Sequence, residues 1–466
     1  MTYLYRTADW SSSNSTSCVM SFWIKLASPA STLQGIFLGW GDANNYGTMY
    51  LNNDDHIYYK EKNGGTQYEE KIDDRKFRDH NAWYHFFLQW DYTQATASNR
   101  LKIYVNNELM NWSNSGNSLP PQNYSTRLKK NDFRIGTYTH AGSSYSDWKS
   151  LMSHVHFIDD APYNTYTPST FGETDSTTGE WKIKTSPSIS DYGPQGFFIL
   201  KNDNVGTDRS GKGNNFSISG TLTKTEDNPS NNFCTLNALD MVYGNSSLSQ
   251  GNNTQNQTAQ SNHYAFINGT LGFNSGKWYW EMKCVSGHSD NWYGVGIAST
   301  QCTANNNWLG QNADSYAIYG YSYGGGLAST YTGGTRTNQG VSFTAGDIIG
   351  VAVDCDNMAI YFSKNGTWMS NASSVQGVPT SGSSKTGSFF TISDPATRKY
   401  NAYGGFYLPA VCYYDARTAV QSVNFGNGYF GTTAVSSAGT NASGNGIFEY
   451  DVPTGYTALS TKGLNL

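Results

Sequence analysis

By type and spacing, the residues of this sequence that could do chemistry are a few grouped carboxylates, two neighbouring histidines and several aromatics set in polar loops. Retaining hydrolysis of a glycosidic bond needs two carboxyl groups about 5 to 5.5 Å apart, which a strand supplies as alternate residues. No Glu-x-Asp-x-x-Glu run occurs. The nearest string, Glu173-Thr-Asp175 continuing to Glu180, has another spacing and lies in a Thr/Ser-rich stretch, and Glu449-Tyr-Asp451 lacks a third carboxylate. His154 and His156 stand two apart in an apolar run, so on a strand they share a face that could hold a metal. Without a nearby Cys or third His, such residues are more often surface or interface histidines. Asp42 in GWGDANNYG and the pair Asp159-Asp160 could give oxygen ligands to Ca2+, or cap turns, which is the commoner use of aspartate at such places. No GxxxxGK[ST] phosphate loop is present, and although GYSYG (320–324) matches GxSxG in its letters, it lies in a Tyr/Gly-rich stretch without the helical pattern that must follow the serine of a nucleophile elbow. The expectation is a protein without catalysis and without a cofactor, Ca2+ being the one ion left open.

The aromatics point elsewhere. Trp308 sits in QCTANNNWLGQN, Trp292 follows HSDN, and Tyr319, Tyr321 and Tyr323 share a parity in YAIYGYSYGGG. Sugars bind to aromatic platforms flanked by Asn, Asp and Gly, because pyranose C–H faces stack on rings while amides take the hydroxyls. Trp292, Trp308, Tyr319, Tyr321 and Tyr323 are therefore the candidate carbohydrate-binding residues, with Trp308 foremost as a lone large ring among polar neighbours. The tyrosine row has a second reading, as sheet core or as a protein interface, since Tyr is favoured in both.

The elements that must position these residues are strands. Met20, Phe22, Ile24 and Leu26 alternate with Ser21, Trp23 and Lys25; Tyr84, Phe86, Leu88 and Trp90 alternate with His85, Phe87 and Gln89; and Leu101, Ile103 and Val105 form a third apolar face. In the second half Trp278, Trp280, Met282 and Cys284 fall opposite Tyr279, Glu281 and Lys283. The stretch DIIGVAVDCDNMAIYFSKNGTW reads as a meander: Ile349, Val351 and Val353 on one face, a polar corner at Asp354 to Asn357, then Met358, Ile360 and Phe362, with Asn365-Gly366 supplying the next turn. No heptad and no sustained 3.6-residue period occurs, so the fold class is all-β, built as antiparallel sandwiches.

Composition fits. The 466 residues are 15% aromatic but only 14% charged, so the chain can bury large cores while its surface is made of Ser, Thr, Asn, Gly and Tyr. A net charge of -5 without a Lys/Arg run argues against nucleic acid or an anionic membrane as partner. No apolar segment is long enough to span a bilayer, and the first residues lack a secretory h-region, so synthesis in a cytoplasm with reduced cysteines is expected. Three regions are expected: a sandwich over 1–160, a connector over 161–235 whose apolar run Phe197 to Leu200 must pack on a neighbour, and a second sandwich over 236–466.

GKWYWEMKC (276–284), WYGVGIAS (292–299), GDIIGVAVDCDNMAIYFSKNGTW (346–368) and YLPAVCYYDARTAVQSVNFG (407–426) resemble, in order and spacing, the core strands of a SPRY domain. YLYRTADW, SFWIKL, AWYHFFLQWD, LKIYVNNE and HVHFIDD in the first region resemble a laminin-G or concanavalin-like jelly roll. The likeness continues through FGETDSTTGEW, GTDRSGKGNNF and NPSNNFCTLN, and together these segments resemble structural and fibre-type proteins of tailed phages of marine and aquatic bacteria. The resemblance implies a virion surface protein, made in the host cytoplasm, of the tail-fibre, receptor-binding or head-decoration type. It would act by protein or glycan recognition without catalysis. The implied partners are other virion proteins and host surface glycans, with homo-oligomeric or multi-copy display and no nucleic acid or membrane insertion. The alternatives are a purely architectural decoration protein and a polysaccharide depolymerase. No shaft or anchoring segment is visible, so the sandwiches or the connector are expected to make the attachment.

Overall fold

The computed structural model of the chain describes every residue except 1, 12, 14, 28–31, 73–74, 115–118, 141–143, 202–204, 241–245, 259–265, 288–290, 301, 303–306, 321–327, 395–404, 414–416 and 466, and the backbone alone of 69–71, 112–114, 139–140 and 144–145. The chain divides into two compact units, Met1–Lys224 with Asn228–Ser230, and Thr225–Asp227 with Asn231–Leu466. Both are almost wholly antiparallel β, one short pair of the second unit (Tyr279 with Ala458) being parallel, and among the described residues helix is limited to short turns such as Pro168–Phe171 and Thr461–Leu464. Among the described residues no helix is long and apolar enough to cross a membrane.

In the first unit an eight-stranded sheet faces a six-stranded one. The six-stranded sheet runs in the order Phe197–Ile199, Leu151–Asp159, Ser17–Lys25, Trp83–Asp91, Leu101–Val105, Glu108–Leu109. Period-two alternation sends Met20, Phe22 and Ile24, with Phe86, Leu88 and Trp90, inward against Phe37, Met49 and Phe133 of the opposite sheet. Phe22 stacks on Phe86 at 5.4 Å and meets Phe37 edge-on at 6.3 Å, joining the two layers. Inside this core Glu61 accepts hydrogen bonds from the hydroxyls of Tyr59, Tyr92 (2.8 Å) and Thr126 (2.9 Å) and from the Arg127 amide (2.6 Å). That pull brings residues 126–128 so close to the sheet that a Cβ on Gly39 would lie 1.9 Å from the Leu128 carbonyl oxygen.

All nine residues of Ser17–Lys25 are buried, whereas alternation alone gives a half-exposed strand. The cover comes from residues 161–200, the first part of the expected connector. Phe171, Tyr166 and Tyr192 pack on Val19 and Phe87, while Ile183 and Trp181 pack on Trp23 and Trp83. Phe197–Ile199 pairs with the strand Leu151–Asp159, sending Phe197 and Ile199 into the core and Phe198 outward onto His156, ring to ring at 3.8 Å. The glycine-rich stretch GTDRSGKGNNF is a self-bonded turn in which Asp208 accepts from the amides of Phe198 (2.8 Å), Ser210 (2.8 Å) and Asn214 (2.9 Å).

The second unit faces a nine-stranded sheet with a six-stranded one. Trp280, Met282, Ile349, Val351, Val353, Ile360 and Phe362 share one core, in the register Trp280 opposite Val351 opposite Phe362. The corner at Asp354 to Asn357 is turn chemistry: Asp354 accepts from the Asn357 amide (2.9 Å) and side chain (2.8 Å), and Asp356 from the Gly276 amide (2.8 Å). Asn365 and Gly366 take positive φ at 48° and 80°, as a two-residue hairpin turn requires. The outer face of this sheet is covered too, by Phe448, Val452, Tyr456 and Ala458 lying on Tyr279, Ala352, Ala359 and Tyr361. Buried Glu281 fastens that cover, accepting from the amides of Glu449 and Tyr450 at 2.9 Å each and from the Tyr279 hydroxyl at 3.1 Å. Burial pushes its carboxyl up to about 7 although both amides favour the carboxylate.

Two outcomes are expected from this packing. Trp280 is fully buried, so Trp280→Ala should cost about 3 to 5 kcal/mol in urea unfolding of the second unit; a loss under about 1 kcal/mol would move Trp280 out of the core. His85 is buried under the covering segment, and burial pushes its imidazole down to about 3. The unfolded chain takes up that proton near pH 6.5, so stability is lost as pH falls below that value, with a slope approaching about 1.4 kcal/mol per pH unit from this group. Urea midpoints between about pH 6.5 and 4.5 should therefore fall more steeply in the natural protein than in a His85→Leu variant.

Candidate functional site

The second unit's six-stranded sheet ends in the neighbours Gly294–Ser299, Ser315–Tyr319, Ser329–Thr332 and Thr335–Asn338. Its outer face is made of small residues, Ala298, Ala317, Ala410 and Cys412, with Phe266, Leu309 and Tyr319. Small side chains leave room above a sheet, and here rings occupy it. Trp292 meets Tyr319 edge-on at 6.4 Å, Tyr319 meets Tyr331 at 5.4 Å, and Tyr331 meets Trp308 at 4.8 Å, so four rings form one chain.

The loop bearing Trp308 is tightly held. The Tyr319 hydroxyl donates to the Leu309 carbonyl (2.8 Å), the Gly310 amide to the Ser315 hydroxyl (2.6 Å), and the Gly334 amide to the Gly310 carbonyl (3.0 Å). Gly310 has φ 95° and a Cβ there would come within 2.6 Å of the Tyr331 Cβ, so only glycine lets the loop approach this closely. Trp308 is thus braced by the bonds that hold Leu309 and Gly310, which directly follow it, before any ligand arrives.

Three of the five residues predicted for sugar binding come together here and play different parts. Trp292 and Trp308 are half-buried at the two ends of the ring chain. Tyr319 is 4% exposed, with its hydroxyl committed to Leu309, so it supports the outer rings and presents no face of its own. Tyr321 and Tyr323 lie outside the described residues. Trp308 is not the isolated ring its polar neighbours suggest, because Tyr331 from another hairpin packs against it. Tyr331 is the member sequence reading missed, and with it Arg336. The Gly333-Gly334 turn sets the two directly opposite each other, so their side chains share one face of the sheet.

The metal readings resolve into other uses. Lys129 bonds to Asp159 and lies 3.0 Å from Asp160, so an ammonium stands against the carboxylates considered for Ca2+. Asp42 caps its turn through the Asn44 amide (2.7 Å) and the Asn45 side chain (3.0 Å). His154 and His156 are buried, not at the surface as expected, because Phe198 and the covering segment lie on them. A bulge between Ser153 and His156, with His154 at φ 49°, interrupts the alternation, and both rings meet Phe198, at 5.9 and 3.8 Å. His154 Nδ1 is 2.7 Å from the Ser153 hydroxyl and His156 Nδ1 is 2.8 Å from that of Tyr192. Asp175 accepts from the Thr177 and Thr178 amides at 2.9 Å each, in the exposed turn of a hairpin.

No curated protein matches this sequence. Among solved structures it is similar to the PSpry domain of TRIM65 (13% identity, 41% of this chain and 91% of that chain, TM-score 0.28). It is also similar to the SPRY domain of human HERC1 (18%, 38% and 91%, TM-score 0.27) and to stonustoxin (14%, 41% and 28%, TM-score 0.28). Residues 4–163 match the concanavalin A-like lectin/glucanases superfamily and residues 277–390 the SPRY domain, so the chain carries a concanavalin-like domain followed by a SPRY domain.

Proposed function

We propose that this protein is a surface component of a tailed-phage virion that recognises host surface glycans without catalysis, through the rings at the outer face of its SPRY domain. The observation that carries the reading is the braced chain Trp292, Tyr319, Tyr331, Trp308, half-buried at both ends. Rings fixed before binding lose little freedom when a sugar stacks on them, and such a stack is worth roughly 1 to 2 kcal/mol, comparable to other aromatic contacts. One site of that strength is weak, so useful adsorption rests on many copies displayed together with the other virion proteins, where linked sites gain through effective concentration. The pairing of two domain types that serve as binding modules supports the same reading, and the phage setting rests on the sequence resemblance.

Particles carrying Trp308→Ala or Trp292→Ala should assemble normally and adsorb to host cells several-fold less than natural particles, while Trp308→Phe, which keeps a ring, should recover part of the loss. Unchanged adsorption in both alanine variants would remove the glycan reading. Defective or unstable particles with unchanged adsorption would favour the architectural role instead.

A further inference from the structure

We infer that Lys129 and Asp159 condense after folding into an intramolecular amide bond, with Asp160 transferring the proton. The inference concerns the concanavalin-like unit and is independent of the glycan reading. Lys129 directly follows residues 126–128, which lie against the eight-stranded sheet, and Asp159 ends the strand Leu151–Asp159 of the six-stranded one. The Lys129 ammonium lies against Asp159 Oδ1, with the two side chains 2% and 0% exposed, and it donates to Asp160 Oδ1 at 3.0 Å. Asp159 stands directly opposite Cys18, a core residue, so its carboxyl points inward as well. The Trp10 ring, 5.9 Å from the Lys129 nitrogen, adds an apolar wall.

A buried ion pair carries the desolvation cost of both charges, and condensation removes both. Asp160, partly in water, is placed to take a proton from the ammonium. The freed amine attacks Asp159 Cγ from the Oδ1 side. The other oxygen, Oδ2, accepts from the Ser13 hydroxyl and from the Gln195 amide (3.1 Å), two donors that stabilise the charge developing there. Oδ1 receives the proton held by Asp160 and a second one from the nitrogen, and leaves as water. One C–N bond forms and one C–O bond breaks. The ammonium gives up two of its three protons to Oδ1, and nothing is oxidised or reduced. An amine held beside a carboxyl group reacts as if at very high concentration, and a dry site protects the amide from hydrolysis. All six cysteines are free, so this bond would join the two sheets covalently without an oxidant, restricting the unfolded chain as a disulfide does.

The test is the intact mass of the full chain, purified folded and then denatured. It should be lighter than the sequence mass by one water. Digestion should give a branched peptide in which the Lys129 nitrogen carries Asp159, with no tryptic cut after Lys129. Lys129→Arg, which keeps the cation but loses the amine nucleophile, should show the full sequence mass and melt at a lower temperature. Asp160→Asn keeps the Lys129 and Asp159 pair but should condense on the order of a hundredfold more slowly, as loss of a general base does. The full sequence mass in the folded natural protein would leave a plain ion pair and overturn the inference. So would a lost water that persists in Lys129→Arg, which marks an aspartyl succinimide instead. An unchanged rate in Asp160→Asn would remove Asp160 from the step. The branched peptide is sought in the natural protein, so the result does not depend on any variant folding.

Discussion

A sheet whose strands are apolar on both faces can leave neither face in water, and that constraint shapes both halves of this protein. Each sandwich buries one face of each sheet against its partner, and then spends irregular chain on an outer face: residues 161–200 in the first unit, the stretch from Phe448 to Ala458 in the second. Irregular chain has few ladder hydrogen bonds, so its backbone donors must be met in other ways. Carboxylates meet several of them. Buried Glu281 takes the amides of Glu449 and Tyr450, and half-buried Asp208 takes those of Phe198, Ser210 and Asn214; within the first core, buried Glu61 does the same for the irregular residues 126–128 by taking the Arg127 amide.

This solution fixes the titration of the interior. Imidazoles under the cover stay neutral because burial penalises the cation, and His85 keeps that form with the Trp181 indole donating to its Nδ1 at 3.1 Å and the Ser21 hydroxyl 2.8 Å from its Nε2. Glu281 is pushed the opposite way, since the same burial penalises the carboxylate. The Lys129 to Asp159 pair shows the other option, in which two buried charges neutralise each other. Each of these polar groups holds a segment that the apolar contacts alone would not place.

The outer face of the second unit's six-stranded sheet is treated differently. Its strands carry Ala298, Ala317, Ala410 and Cys412 there, so rings from neighbouring loops settle on it and remain half-covered. Trp292 and Trp308 are then too well braced to be loop decoration and too exposed to be core. That intermediate state is what a rigid stacking surface needs, and the cross-strand Tyr331 and Arg336 pair gives it a polar edge.

The sequence by itself determined the elements and the inward faces. Met20, Phe22 and Ile24, and Trp280, Met282 and Val351, lie where alternation puts them, because a period of two is enforced by strand geometry. The meander turn at Asp354 to Asn357 and the Asn365-Gly366 corner were legible for the same local reason, since the side chains that make a turn lie within it. What only the tertiary structure decided is which second face is covered, and by what. Nothing local to His156 or Trp23 announces that residues 161–200 will lie on them. Nothing in QCTANNNWLGQN announces Tyr331, which arrives from another hairpin to meet Trp308, nor that Tyr319 will turn its hydroxyl to Leu309. Partners distant in sequence are set by the register between strands and by the path of the irregular chain, and neither leaves a periodic mark on the residues it joins.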